Sequence, residues 1–428
     1  MYQKEILQNG FRLVTHQMPK RDSVSLGFWF GVGGRHETLS QKGLAHVIEH
    51  MAFKGSRKYS SREIKERVEG VGGMLNAFTS EEQTCFFAKV PSKFLKEAFD
   101  VLSDISFFPQ WRQKDFIKEK SVIMEEIKMY HDQPQYLVME LLHKLLWPNN
   151  SLGAPLAGTV DSVAGLTLED LKSFHHNYYH SGNAVLVVCG DVCHREVKKI
   201  VKKKLASLKK QEVLFFDKVN EAFSSPRIHC YKKDIEQTHL AIGFPSYAYR
   251  DERKYALELL SIILGENMSS RLFAQVREKK GLAYAIQSKE KTFEDTGFFV
   301  IRAGVDNKKV VEATDVILKE LIKIKEKSIS SDELIRAREY KIGHLLLEIE
   351  DTLEHMLWLG EHLIFRNKIE SVKNLVEKFK KIGKKDIGYV AQDIFKHNKL
   401  TLAIIGPVEE KDEKKLNDFA SPRGWGKG

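Results

Sequence analysis

The stretch GLAHVIEHMAFKGS, residues 43–56, sets two histidines four residues apart, with a glutamate directly before the second. Positions four apart on an α-helix lie about 40° from each other around the axis, so His46 and His50 can converge on one ion. Leu44, Val47, Ile48 and Met51 fall on the opposite face and suit a core. Neutral imidazoles are zinc ligands, and a catalytic zinc keeps three protein ligands with one position open. Glu49 stands beside the histidines, where it can take a proton from water. The order mirrors the H-E-x-x-H arrangement, in which glutamate follows the first histidine. A motif this short also arises by accident, so its surroundings decide what it means.

Working outward, SVSLGFWFGVG (residues 23–33) alternates as a strand does, and YSSREIKERVEGVGG (59–73) opens on a Ser60/Glu63 capping box and closes on glycines. Strands LNAFTS and QTCFFAKV and the helix SKFLKEAFDVLSDI follow. The second half runs the same course. Strand THLAIGFPSYAY precedes helices KYALELLSIILG and SSRLFAQVREKKG, then strands LAYAIQSKEK and TGFFVIRAGV, then helix KKVVEATDVILKELIKI. Two copies of one unit are therefore expected. The fold class is α+β, with two homologous α/β domains, each an antiparallel-rich sheet packed by helices. The expected domains are 1–204 and 227–418, joined by the polar, irregular linker 205–226 and followed by a flexible tail, 419–428. The repeat is also an internal control: KYALELLSIILG has no histidine, so the fold does not require His46 and His50.

At 428 residues the chain exceeds a single core, and its 42% hydrophobic and 29% charged residues are those of a globular protein. No apolar run is long enough to cross a membrane. The N-terminal stretch MYQKEILQNGFRLV alternates like a strand and lacks the apolar run of a secretory signal, so a cytoplasmic protein is expected. The net charge of +10 is spread over Lys-rich helix faces without interleaved aromatics, which argues against nucleic acid. Four cysteines are too few for a disulfide scaffold. Cys189, Cys193 and His194 in CGDVCH fit a strand–turn–helix joint better than a metal site.

A third ligand is offered by DFIKEKSVIMEEIKMYHDQP, residues 115–134, a helix that ends before Pro134. Glu119 and Glu126 are seven apart and share a face, whereas Glu125 is rotated about 100° away. Without the histidines these acids would read as a solvated helix face.

Together these segments resemble the pitrilysin and mitochondrial processing peptidase family, the inverted zincins, over nearly the whole chain. The resemblance implies zinc on His46, His50 and Glu126, Glu49 as catalytic base, and Glu119 holding a histidine from behind. GGMLNAFTSEEQTCFF resembles the family's active-site edge strand, so Asn76 and Ala77 are expected to hold an extended peptide by backbone pairing. LKSFHHNYYHSGNAVLVVCGDV resembles the last strand of the family's first domain, which favours structural roles for His175, His176 and His180. SSRLFAQVREKKGLAYAI resembles the Arg-and-Tyr segment, making Arg277 and Tyr284 substrate-binding and Tyr284 a donor to the developing oxyanion.

The implied activity is that of a zinc-dependent endopeptidase acting on short or unfolded peptides. A chain of this length corresponds to half of the family's clamshell. Because it keeps both signatures, a homodimer with shared active sites is expected. Two other classes stand beside this reading: a catalytically silent partner or scaffold subunit of the same family, and a zinc hydrolase of a non-peptide substrate.

Overall fold

Every residue from Val24 to Phe30 is buried in the computed structural model of the protein, although their side chains alternate between two sides of a sheet. The structure describes residues 2–366 and 369–421. Strands β1 (Tyr2–Ile6), β2 (Arg12–Gln17), β3 (Ser23–Phe30), β4 (Met74–Thr79), β5 (Thr84–Pro91) and β6 (Ala184–Gly190) form one mixed sheet in the order β1-β2-β6-β3-β5-β4. The β2–β6 pair is parallel and the others are antiparallel. Strands β7 (Arg227–Lys232), β8 (Gln237–Ser246), β9 (Ala283–Thr292), β10 (Gly297–Asp306) and β11 (Thr401–Gly406) form the second, in the order β7-β11-β8-β10-β9. Its β7–β11 pair is the parallel one. Without β1, the two orders coincide, so the repeat read from the sequence is a repeat of topology.

The compact units are not the contiguous segments 1–204 and 227–418. One comprises Met1–Lys128, Pro155–Asp217 and Leu345–Glu370; the other comprises Met129–Ala154, Lys218–His344 and Ser371–Gly428. Each unit takes in one helix from the opposite half of the sequence, and the reason is burial. In the first unit, Leu26, Phe28 and Phe30 point into a large core with the helix Leu95–Phe107 and its neighbours. Val14, Trp29, Cys85, Phe87, Val185 and Val187 point to the other side, where Met356, Leu359 and Leu363 of the helix Thr352–Arg366 are buried against them. That helix is fastened at its start, where Thr352 and Ser25 share a hydroxyl–hydroxyl bond of 2.9 Å and Lys89 meets Asp351 at 2.5 Å. In the second unit Val138, Leu142 and Leu146 of the helix Pro134–Leu146 cover Ala241, Val300, Ala403 and Ile405 in the same way.

The linker 205–226 contains the boundary between units and has no regular structure beyond Leu205, the end of the preceding helix. It is nevertheless tied down. Phe216 lies under the Arg35 guanidinium at 3.8 Å, and Arg35 donates to the Asp217 carbonyl at 3.2 Å. Phe419, assigned to the tail by sequence, is buried, whereas residues 422–428 lie outside the described residues. A second difference lies in the segments KYALELLSIILG and SSRLFAQVREKKG. The first turns from α- to π-helical at Ile262–Glu266, and the second is π-helical over Phe273–Lys279.

Gly360 of the covering helix lies directly against Trp29 of the first sheet. A Cβ added there would stand 2.0 Å from the ring of Trp29. Gly360→Ala should therefore destabilise the protein by about 1–3 kcal/mol, as overpacking of a filled core does. Urea unfolding followed by tryptophan fluorescence measures this, and an unchanged midpoint would show that the helix is not seated as described.

Candidate metal centre

The helix Leu44–Ala52 buries Leu44, Ala45, Val47, Ile48, Met51 and Ala52 and leaves His46, Glu49 and His50 partly exposed along one side. Its amphipathic pattern thus fixes which way the three polar side chains point. The N-terminus of this helix is pinned by a residue that the sequence reading missed. The buried carboxylate of Glu37 accepts from the backbone N–H groups of Gly43 at 3.1 Å and Ala45 at 2.7 Å. Lys42 lies 3.6 Å from the same carboxylate. Gly43 has φ +93, and a Cβ there would meet the Ala157 carbonyl at 2.4 Å, so glycine alone fits this entry to the helix. An acid just ahead of a helix, matched to its unpaired N–H groups, was the available signal.

The helix Gln113–His131 brings Glu126 to the histidines. Its Oε2 lies 3.5 Å from Nε2 of His50 and 4.0 Å from Nε2 of His46. One donor atom from each of the three residues fits within 4.8 Å, and among the described residues this is the only such group of three or more His, Cys, Asp or Glu. Two imidazole nitrogens and a carboxylate oxygen are a zinc donor set that leaves a position open. Glu119, two turns back on the same face of that helix, accepts from Nδ1 of His50 at 3.0 Å. That bond holds the proton on Nδ1 and turns the Nε2 lone pair towards Glu126, the tautomer that metal binding needs. Lys54 pairs with the other Glu119 oxygen at 2.5 Å. Glu125 is exposed and pairs with Lys128 instead.

The electrostatics follow the geometry. Burial and the neighbouring His50 lower the pKa of His46 to about 4, keeping it neutral. Burial opposes charge on His50 too, but the Glu119 hydrogen bond and the Glu126 and Glu119 charges outweigh it and raise its pKa. Burial raises the Glu49 pKa, although a hydrogen bond from Thr79 and the charge of His50 work against the shift. Glu49 is thus a carboxylate in a partly desolvated place, a better proton acceptor than one in water.

Asn76 and Ala77 lie on β4, the edge of the first sheet, whose outer side is unpaired among the described residues. Asn76 Oδ1 accepts from the Ala77 N–H at 2.8 Å, so that donor is engaged locally. Arg277 and Tyr284 belong to the second unit. Tyr284 is 77% exposed on the edge strand β9, and the Arg277 guanidinium lies 5.6 Å from the centre of its ring. Other histidines and cysteines have different surroundings. His175 is half-buried with Nε2 2.9 Å from the Ser106 carbonyl, and His180 is buried. His194 bonds Thr15 at 2.8 Å, Cys189 is buried in β6, and Cys193 is exposed.

Comparison with known proteins decides the family. The profile of the insulinase family (peptidase family M16) matches residues 12–160, and that of the peptidase M16 inactive domain matches residues 165–340. An uncharacterized zinc protease of Bacillus subtilis is 35% identical over 95% of this chain and 98% of its own length. The chain belongs to peptidase family M16. Another relative, an uncharacterized zinc protease of Streptomyces coelicolor, is 33% identical over 96% of this chain and 91% of its own. The crystal structure of a protease from Helicobacter pylori superposes with a TM-score of 0.92 at 24% identity, over 95% of this chain and 99% of that one. A peptidase M16 inactive domain from Pseudomonas fluorescens gives a TM-score of 0.88 at 18% identity, over 95% and 98%. These two likenesses concern the fold. In this M16 chain the segment matched by the inactive-domain profile includes the helix Lys254–Ser261, which carries no histidine. There Glu258, on Lys254–Ser261, receives the ammonium of Lys341 at 2.8 Å.

The geometry separates neighbouring acids. Glu126→Gln should lower zinc affinity sharply, Glu119→Gln by about 10–100-fold, and Glu125→Gln hardly at all. Isothermal titration of zinc into the metal-free variants ranks them, and a larger loss at Glu125 than at Glu126 would mean that the helix presents its other face.

Proposed function

We propose that the chain is a zinc-dependent endopeptidase that hydrolyses short or unfolded peptides. The observation that carries this reading is the convergence of the His46 and His50 Nε2 atoms with the Glu126 carboxylate, beside the partly buried carboxylate of Glu49. Zinc bound there supplies Lewis acidity, polarising the scissile carbonyl and acidifying water. Glu49 takes the proton of the attacking water on a carboxylate oxygen and delivers it to the leaving amine nitrogen. Glu119 keeps the His50 ring in one tautomer and one orientation throughout. The peptide lies along the free edge of β4 as an added strand, paired to the backbone of Asn76 and Ala77, which requires the Asn76 amide to release the Ala77 N–H. Membership of family M16 and relatives named zinc proteases support the peptidase reading over a non-peptide hydrolase. The complete set of four residues supports it over a silent scaffold, which has no use for them.

The same reading extends to assembly. The chain carries both the histidine motif and the Arg277/Tyr284 pair, and the exposed Tyr284 hydroxyl is free to meet a substrate. The active form is a homodimer in which each site takes His46, Glu49, His50 and Glu126 from one subunit and Arg277 and Tyr284 from the other. Tyr284 donates its hydroxyl hydrogen to the oxyanion that develops on the carbonyl.

Glu49→Gln should keep its zinc, since every ligand remains, and lose roughly 10²–10⁴-fold in peptide turnover. Near-normal turnover in the zinc-loaded variant would remove Glu49 from the reaction. Sharing of sites is tested by complementation. A Glu49→Gln chain mixed with a Tyr284→Phe chain, with subunit exchange verified, should regain activity because some sites then combine two intact contributions. A mixture of inactive parents that exchanges and stays inactive would contradict shared sites.

A further inference from the structure

The second unit contains a cavity of about 830 Å³, within the range of specific ligand sites, and Arg277 and Tyr284 are on its wall. Its composition has a feature that the proposed peptidase chemistry leaves unused. Arg302 of β10 also lines it and donates one hydrogen bond, from Nη2 to Gln287 at 3.3 Å across the strand pair. A guanidinium offers five donors in a planar fork that suits carboxylates, so Arg302 has most of its capacity unspent. Arg277 touches only aromatic faces, those of Phe273 at 4.7 Å and Tyr284 at 5.6 Å. Arg302 is half-buried and Arg277 exposed, and among the described residues neither forms an ion pair with a carboxylate.

The one acid on the wall does not cancel them. Burial raises the pKa of Glu266, with the Lys341 charge opposing the shift and the Glu258 charge adding to it, so its tendency to hold a negative charge is reduced. The wall beside Arg302 is also lined by small residues. Gly304 and Ala285 are cross-strand neighbours in β10 and β9, and a Cβ on Gly304 would meet nothing closer than 3.4 Å. His239, the β8 neighbour of Gly304, adds a further polar side chain to the wall.

We propose that this cavity binds a carboxylate of the peptide substrate, held by Arg302 and Arg277. Arg302 is the residue that sets specificity, and the substrates are peptides carrying an acidic side chain or a free C-terminal carboxylate at the matching register. The inference rests on the reading of the chain as a peptide-binding protein, and it predicts a preference that this reading alone does not contain.

The test uses the full-length, zinc-loaded Glu49→Gln chain, which is to bind peptide without cutting it, and fluorescence anisotropy as readout. The probes are dye-labelled nonapeptides of neutral sequence, acetylated and amidated. One glutamate is walked along the series, each with a glutamine counterpart, and one further neutral peptide ends in a free carboxylate. Charged hydrogen bonds of the usual strength correspond to a roughly 10-fold or greater gain in affinity for the peptide whose carboxylate reaches the cavity. Arg302→Gln should abolish that gain, and Arg302→Lys should restore part of it, with circular dichroism showing that both variants fold. A gain confined to one glutamate register identifies a side chain, and a gain confined to the free terminus identifies the chain end. Equal affinities across the series, no binding by any peptide, or a preference that survives in Arg302→Gln would each overturn the proposal. If wild-type protein cuts none of these peptides while the Arg302-dependent preference holds, the peptidase reading fails and the carboxylate site stands. If it cuts them without preference, the reverse is true.

Discussion

A sheet whose central strands are apolar on both sides has two faces to bury, and the helices that follow its strands in sequence cover only one. In the first unit the uncovered face carries Trp29, Phe87, Val185 and Val187, and in the second it carries Ala241, Val300 and Ala403. Each is closed by a helix from the opposite half of the sequence, Thr352–Arg366 or Pro134–Leu146. Hence a chain cut at the linker would leave a sheet face in water in each piece. Seating depends on small residues as much as on apolar ones, since Gly360 meets Trp29 and Gly243 leaves room for Leu142.

That burial also fixes the polar side of the first unit. With six residues of Leu44–Ala52 in the core, His46, Glu49 and His50 have only one direction left. Glu37 holds the start of the helix, and the chain Lys54–Glu119–His50 ties it to the helix that carries Glu126. In the second unit the corresponding helix brings Glu258 to Lys341, a half-buried ion pair where the first unit gathers imidazoles. The repeated topology therefore hosts two different solutions for the charge between the same pair of helices, one internal and one open to an added cation.

Strand alternation, capping and the repeat were legible because they are local: the Ser60/Glu63 box is present and β3 follows its alternation. The helix spacing of Glu119 and Glu126 was legible for the same reason, since 3.6 residues per turn decides their face wherever the helix goes. The domain boundaries were not, because an amphipathic pattern tells that a helix has a buried face without telling which sheet it meets. Glu37 and Lys54 escaped notice because their partners, backbone N–H groups and a carboxylate 65 residues away, carry no sequence signature. The π-helical turns at Ile262–Glu266 and Phe273–Lys279 left no mark in the periodicity either.

The account stands on where a metal binds. Anomalous diffraction at the zinc edge, on crystals of the zinc-loaded chain, addresses that without reference to activity. The account predicts one strong peak about 2.0–2.2 Å from Nε2 of His46, Nε2 of His50 and a carboxylate oxygen of Glu126. A dominant peak elsewhere, at Cys193 and His194 for example, or none at these three residues in fully loaded protein, would contradict it.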